Sequence, residues 1–441
     1  MIPAPPELSE TLQARYRKLV QGHSGQAKAT AAGPRPLPAP TKPFAATQAA
    51  WRFWRNPRVT LPALAQPLLD CARDAAAEAC QDYALVVHDW SHLDYATHTA
   101  KHDRRQGAHP GELGYDAHVA LAVSDRDGSP LAPVYQGLLA LGGLHDSRSA
   151  GVQAPVSNLD GLESVFDFVR DQHWERPAVH VIDREADSVA HYRAWHRGGH
   201  LFLVRADADR LVLSEGRECA LPAVVAALAA RGAFRFSREV EYHGRPARQE
   251  VAEAAVVLHK EAYENRVVDG RRRKRRVRGE PLALRLVVSR VYSPEGELLA
   301  EWLLLTNVPA AVDASTVALW YYWGWRVESY FKLLKSAGQE VEHWQQESAE
   351  AIALRLLVAG MACVLVWQVA RDGSPEGSSL RRLLVRLSGR QMGWGVEFTE
   401  PALLAGLWVL LAMREVLQQH SAEDLLRWAD RVAPGRPPSS G

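Results

Sequence analysis

Three acidic side chains in this chain stand at positions suited to divalent-metal chemistry on a phosphodiester. Asp89 falls near the end of the apolar run YALVVHDW (Tyr83 to Trp90), Asp183 closes AVHVID (Ala178 to Asp183), and Glu328 lies in STVALWYYWGWRVESYFKLLKSAG. Hydrolysis or transfer at a phosphodiester needs its attacking and leaving oxygens neutralised, which two hard cations roughly 3.5–4 Å apart achieve. Hard cations take oxygen ligands, so three carboxylates from separate elements suit two ions of Mg2+ or Mn2+ without any thiol or imidazole. Any single Asp at a strand end serves equally well in a turn or a cap. Asp187, in DREADS, reads as a cap for the next helix, and Asp94 and Asp103 carry no more meaning than that. The order of the three acids, strand, strand, then helix, is what sets them apart.

Read as one helix, the segment around Glu328 places Tyr321, Gly324, Glu328, Lys332 and Lys335 on a single stripe. Glu328 is then available to metal, and Tyr321 with the two lysines to the phosphates of a nucleic-acid strand. Trp320, Trp323, Val327, Phe331 and Leu334 form the apolar surface that docks the helix. Spacing alone leaves open a solvated face on which Glu328 pairs with Lys332.

The elements that must position these groups follow an α/β pattern. YALVVHDW, YDAHVALAVS (Tyr115 to Ser124), LAPVYQGLLAL (Leu131 to Leu141) and AVHVID read as strands, and LDGLESVFDFVRDQ (Leu159 to Gln172) as a helix. The short turn DRDGSP implies antiparallel pairing of the second and third strands. Three meandering strands, a helix and a further strand resemble the opening of an RNase H-like fold. From about Ser188 to Thr306 the signal is mostly short β segments, and from Asp313 everything long is helical. At the front, Leu8 to Val20 is amphipathic, and Gly33 to Pro43 is a Pro-rich linker. Then comes TQAAWRFWRNPRV, with Thr47 as N-cap, Asn56-Pro57 as stop, Trp51 and Trp54 on one side, and Arg52 and Arg55 supplying positive charge. The tail APGRPPSSG reads as disordered.

The bulk numbers bound the partners. With 52 basic and 51 acidic residues the formal net charge is +1, so a nucleic-acid enzyme would have to hold its positive charge in patches. Arg271, Arg272, Arg273, Lys274, Arg275 and Arg276, in GRRRKRRVRG, make the strongest basic run, which in so neutral a chain favours DNA over mere solvation. Four scattered cysteines without a C-x-x-C pair fit a reducing bacterial cytoplasm or nucleoid. No signal-peptide pattern opens the chain. Leu356 to Trp367 and Ala402 to Met413 fall short of the roughly 20 residues a span needs, so they read as buried helices with no membrane partner.

His88, His92, His98, His102, His109 and His118 crowd the first strand and invite a histidine-ligated hydrolase. H-E-x-x-H is missing, and the spacing fits no zinc pattern.

At these blocks the sequence resembles the DDE transposases of the insertion-sequence-four family, the transposon-five transposase-like enzymes. YYWGWRVESYFKLLKSAG is similar to the family signature of Tyr, Arg, Glu and Lys on one helix, VIDREADS to its second-aspartate block, and VVHDWSHLDY to its first. QAAWRFWRNPRV is similar to a motif of the family's N-terminal DNA-binding domain. The blocks run in order from about Gln48 to about His343. The resemblance implies that Asp89, Asp183 and Glu328 bind metal, that Tyr321, Lys332 and Lys335 contact DNA near the cleavage site, and that Trp302, in EWLLLT, stacks in the pocket for a flipped base. It departs at Gly324, where the family has arginine; Arg326 resembles a second basic position of some members.

The resemblance further implies domains at 1–75 (helical, DNA-binding, with the linker), 76–187 (RNase H-like core, first part), 188–310 (inserted β-rich subdomain, with Arg271 to Arg276 on a loop facing DNA), 311–372 (core, second part) and 373–441 (helical, dimerising). The implied activity is cleavage and strand transfer at the terminal inverted repeats of an insertion sequence, into target DNA, by a homodimer in a synaptic complex. A transposase-derived DNA-binding protein weakened in catalysis is the alternative that Gly324 keeps open.

Overall fold

Runs of alternating or continuous β-branched and leucine residues, each closed by turn formers, become strands here. The longer alanine- and leucine-rich stretches become helices. The structure, a computed structural model, describes residues 2–23, 43–107, 109–268, 271–277 and 279–432. The Pro-rich linker and the C-terminal tail lie outside the described residues, apart from Pro43.

In chain order come helices α1 (Glu10–His23), α2 (Pro43–Trp54) and α3 (Leu61–Ala79). Strands β1 (Ala84–Asp94), β2 (Arg105–Gln106), β3 (Leu113–Ser124), β4 (Pro130–Ala140) and β5 (Gly143–Asp146) follow. Then α4 (Asn158–Arg170), β6 (Ala178–Ile182), α5 (Val189–Arg197) and β7 (Leu201–Arg205) alternate. Next are β8 (Leu211–Ser214), β9 (Arg217–Ala220), α6 (Leu221–Ala230), β10 (Arg235–Tyr242) and β11 (Arg245–Leu258). The β-rich stretch ends with β12 (Ala262–Val268), β13 (Arg271–Val277), β14 (Leu282–Tyr292) and β15 (Leu298–Thr306). Helices α7 (Ala314–Tyr322), α8 (Trp325–Lys335), α9 (Ala349–Arg371), α10 (Pro375–Ser388), α11 (Glu400–Gln419) and α12 (Ala422–Val432) complete the described chain.

The chain is mixed α/β, with a large central sheet in the order β5-β4-β3-β1-β6-β7-β15-β14-β11-β8-β9. β3 and β4 pair antiparallel across the DRDGSP turn, whereas β1, β6 and β7 run parallel to one another. Two compact units divide the chain: Met1–Pro67 with Leu93–Tyr115 and Tyr330–Gly441, and Leu68–His92 with Asp116–Ser329.

In the second unit Phe166 of α4, Trp195 of α5, Val224 and Leu228 of α6, and Phe202, Val204 and Leu286 of the sheet share one buried cluster. Each such side chain contributes about 1.5–3 kcal/mol by leaving water. In the first unit, buried Arg355 of α9 lies 4.0 Å from the Trp344 ring centre and donates to Gln346 at 2.9 Å.

Several sequence expectations need correction. The stretch from Ser188 to Thr306 contains two helices, α5 and α6, besides its strands. Helix α2 starts at Pro43, so Thr47 lies inside it and is not its N-cap. The run Leu356 to Trp367 belongs to a 23-residue helix long and apolar enough to cross a membrane, so the length argument fails; 83% of its most apolar stretch is buried within the protein. Helix α11 buries only Ala402, Leu403, Leu404 and Gly406, so Ala402 to Met413 is not a wholly buried run. Arg271–Val277 is no loop: it is strand β13, paired antiparallel with β12 in a separate two-stranded sheet. The side chains of Arg271, Arg272, Arg273, Lys274, Arg275 and Arg276 lie outside the described residues.

Candidate active site

Register builds the site. His88 of β1 pairs with Ile182 of β6, and Ile182 pairs with Val204 of β7. The next residue on each parallel strand is Asp89, Asp183 and Arg205. Neighbouring strands lie about 4.8 Å apart, so the three form a row at the carboxyl ends of β6 and β7; Asp89 does not end its strand as the sequence suggested, because β1 runs on to Asp94.

Alternation decides which face they occupy. His88 packs on Phe166 of α4, with ring centres 5.2 Å apart, so Asp89 points to the other side. On that other side Val181 lies 3.8 Å from the place a Cβ on Gly324 would take. The junction of α7 and α8 therefore sits over the face that carries Asp89 and Asp183.

The junction corrects the single-helix reading. The helical period runs through it, but the chain leaves α7 at Tyr322 and enters α8 at Trp325. Tighter bonds bridge the gap: Gly324 N donates to Tyr321 O, and Arg326 N to Trp323 O, both at 2.9 Å. Trp323 rests over the β3–β4 turn, where Gly128 has a φ of +70° and a Cβ would meet the indole at 2.5 Å. At Gly324 a Cβ would lie 2.8 Å from the Tyr321 carbonyl oxygen. The missing family arginine thus coincides with a backbone turn that resists any side chain.

Tyr321, at the end of α7, donates its hydroxyl to Asp183 Oδ1 at 3.0 Å. Arg205 Nη1 stands 3.7 Å from the same oxygen. Burial pushes the Tyr321 hydroxyl pKa above its ordinary value, so it stays a donor. The Tyr321 ring also lies 5.8 Å from Trp302, which is only 6% exposed, so its indole is a buried strand aromatic beside the site.

The three acids feel one another. Burial first, then the charges of Glu328, Asp183 and Glu185, push Asp89 up to about 6 against a hydrogen bond from the Trp90 amide. Partial loss of solvent and the charge of Asp183 push Glu328 up as well. Among the described residues Glu328 forms no ion pair, so its partner is not Lys332.

A row of two aspartates with a glutamate within electrostatic reach is the oxygen donor set a hard divalent cation takes. Mutual repulsion among the acids is the strain such a cation would relieve. Among the described residues no group of three or more His, Cys, Asp or Glu is placed to hold a metal ion.

Other sequence candidates fall elsewhere. Lys332 is exposed, and Lys335 Nζ is 3.3 Å from Glu342 Oε1. Arg326 is half-buried. Arg52 and Arg55 are exposed at the end of α2, with the Arg55 guanidinium 4.2 Å from the Trp51 ring centre. Trp54 is buried while Trp51 is exposed, so the two do not share one environment. Asp187 is no helix cap: fully buried, it accepts from Tyr192 Oη, the Asp207 amide and Arg210 Nε. Arg205 and Glu185 were not anticipated. Glu185 stands in the DREADS block in plain view, whereas only strand register reveals Arg205.

No family model matches the chain, and no curated protein matches it. Among solved structures it is similar to a piggyBac transposase synaptic complex with hairpin DNA, at 9% identity and a TM-score of 0.35. The match covers 90% of this chain and 63% of that one, so the chain spans less than two thirds of its length.

Proposed function

We propose that this chain is a DDE transposase with an RNase H-like core, cutting and joining DNA at the ends of an insertion sequence with Asp89, Asp183 and Glu328 as its metal-binding acids. The single observation behind this reading is the register row that sets Asp89 beside Asp183, with Glu328 on α8 near enough to add its charge to the burial that raises the pKa of Asp89. The strand order β4-β3-β1-β6-β7, with β1, β6 and β7 parallel and α4 and α5 as crossovers, supports the RNase H-like part. The ordered sequence blocks support the family.

Two ions of Mg2+ or Mn2+, held by these acids, would neutralise the attacking and leaving oxygens of the scissile phosphodiester. The chain's own residues do the rest. Tyr321 and Arg205 fix the Asp183 carboxylate from one side, so it need not reorganise when substrate arrives. Arg205, beside that carboxylate, offers a guanidinium to a bound phosphate. The Trp90 amide holds Asp89 at 2.8 Å. Lys332, exposed on α8, and Arg52 and Arg55, exposed on α2, offer charge to the DNA backbone. The basic strand β13 offers more. The proposed partners are double-stranded DNA bearing terminal inverted repeats, target DNA, and a second copy of the chain contacting it through the C-terminal helices.

Incubating the purified protein with DNA containing its own genomic flanks tests this. Nicking and joining at a repeat boundary with Mg2+ or Mn2+, lost in Asp89→Asn, Asp183→Asn and Glu328→Gln, is the expected result. A second reading, a DNA-binding protein that no longer cuts, draws on the tight turn at Gly324. Specific end binding without any nicking would favour it.

A further inference from the structure

The loop between α10 and α11 carries an aromatic side chain that packing leaves unused. Trp394, flanked by Gly393 and Gly395, is fully exposed at 105% of its reference surface. Both ends of the loop are pinned. Helix α10 stops at Gly389, whose φ is +64°. Arg381, buried at the loop's base, donates to Glu397 Oε1 at 3.2 Å and to Ser378 Oγ at 3.0 Å. At the far end the Thr399 side chain accepts from the Ala402 amide and caps α11. The tip itself turns through Val396 N to Gly393 O at 3.1 Å, with Gly395 at φ +75°. The indole therefore stands on an anchored tip.

The stretch leading into the loop is basic between Glu376 and Glu397. From Gly377 to Val396 there is no Asp or Glu, but four arginines. Arg381 is spent on the loop base. Arg382, Arg386 and Arg390 are exposed, and among the described residues their guanidinium groups meet no acid. Arg382 and Arg386 are one helical turn apart, hence on one face. Scattered exposed aliphatics are ordinary, but a wholly exposed tryptophan within twelve residues of three exposed arginines that meet no acid among the described residues has the residue types of single-strand nucleic-acid surfaces, in which aromatic rings stack on bases while cations track phosphates.

We infer that Trp394 with Arg382, Arg386 and Arg390 forms a DNA-contact surface that stacks on an unpaired or distorted base. This inference rests on the DNA-processing reading above. It places a DNA contact at a loop remote in sequence from the acidic triad.

The test is fluorescence anisotropy of a labelled duplex with a single-stranded overhang, using the full chain. Trp394→Ala should weaken binding at least about fivefold, the lower end of what one base–aromatic stack contributes, and Trp394→Phe should restore most of it. The triple change Arg382→Gln, Arg386→Gln and Arg390→Gln should lower the slope of log affinity against log salt by about 2 to 3. Unchanged affinity in Trp394→Ala overturns the inference. So does a loss of self-association without loss of DNA affinity, which would assign the loop to a second copy of this chain. Asp89→Asn separates the two readings, because only the catalytic reading requires it to stop nicking. If it nicks normally while Trp394→Ala still binds weakly, the catalytic reading falls and the loop surface stands. If the unaltered chain binds no DNA, both fall.

Discussion

His88 and Asp89 are consecutive on one strand, yet the two faces of the sheet treat them oppositely. On the α4 face His88, His118 and His180 form a buried chain, with His88 Nε2 2.9 Å from His180 Nδ1 and His88 Nδ1 3.4 Å from His118 Nε2. Burial drives His88 down to about 3 and holds the other two well below their ordinary value. Phe166 stacks on His180 at 3.7 Å and Trp90 on His118 at 4.5 Å. These imidazoles are neutral packing units whose facing nitrogens serve one another. On the opposite face Asp89, midway along β1, and Asp183, just past the end of β6, are neighbours in register, and burial first, then the nearby acids, push Asp89 up despite the Trp90 amide. Neutral groups that pair internally stabilise, whereas a carboxyl whose pKa is raised by burial and by neighbouring acids marks a candidate functional position.

The largest expected effect breaks the comparison on the acid side. Asp89→Asn should reduce metal-dependent nicking by about a thousandfold, the several kcal/mol that metal-borne charge stabilisation supplies, while its thermal melt remains cooperative. On the histidine side, His88→Ala should cost about 2–4 kcal/mol in urea unfolding, from the cavity and the partners left unpaired. Its nicking rate per folded molecule should stay within about tenfold of the original. Full stability with abolished nicking would make the histidines part of the chemistry.

Gly324→Arg tests the joint between the faces. Its Cβ would press on the Tyr321 carbonyl, so a loss of about 1–3 kcal/mol is expected by calorimetry, even though the family signature has arginine there.

The smallest effect is a pH dependence. Because the folded-state pKa of Asp89 is raised to about 6, the folded chain holds a proton there that the unfolded chain has released. Stability of the metal-free protein should therefore fall as pH rises from the usual carboxylate range through about 6. Asp89→Asn should remove that fall, making the variant more stable at pH 7 by about 1–2 kcal/mol, the roughly 3 kcal/mol of so large a rise discounted because the carboxylate is only partly buried, and equal near the unperturbed carboxylate range. Melting curves across this range check it.

What the sequence made legible were elements with strong local signals. The apolar runs ending at Asp89 and Asp183 became β1 and β6 because short β-branched stretches bounded by polar residues have few other ways to bury themselves. The helix over Leu159 to Gln172 became α4, capped by Ser157. Less legible was whatever depended on contacts distant in sequence. Nothing in WYYWGWRVES signals the joint at Trp323 and Gly324, since the helical period runs through it; the β3–β4 turn beneath Trp323 shapes it. Arg205 gains meaning only from its register with Asp183. Helix α6 was a missed signal of another kind, because LPAVVAALAA has proline in its first turn and an alanine-rich run.

The most direct test of the central claim is a crystal of the protein soaked in Mn2+ and measured at an anomalous wavelength. The account predicts a manganese peak ligated by Asp89 and Asp183, with Glu328 joining as the acids close on the ion. A peak lodged among His88, His118 and His180, or none near Asp89 at saturating metal, would contradict it.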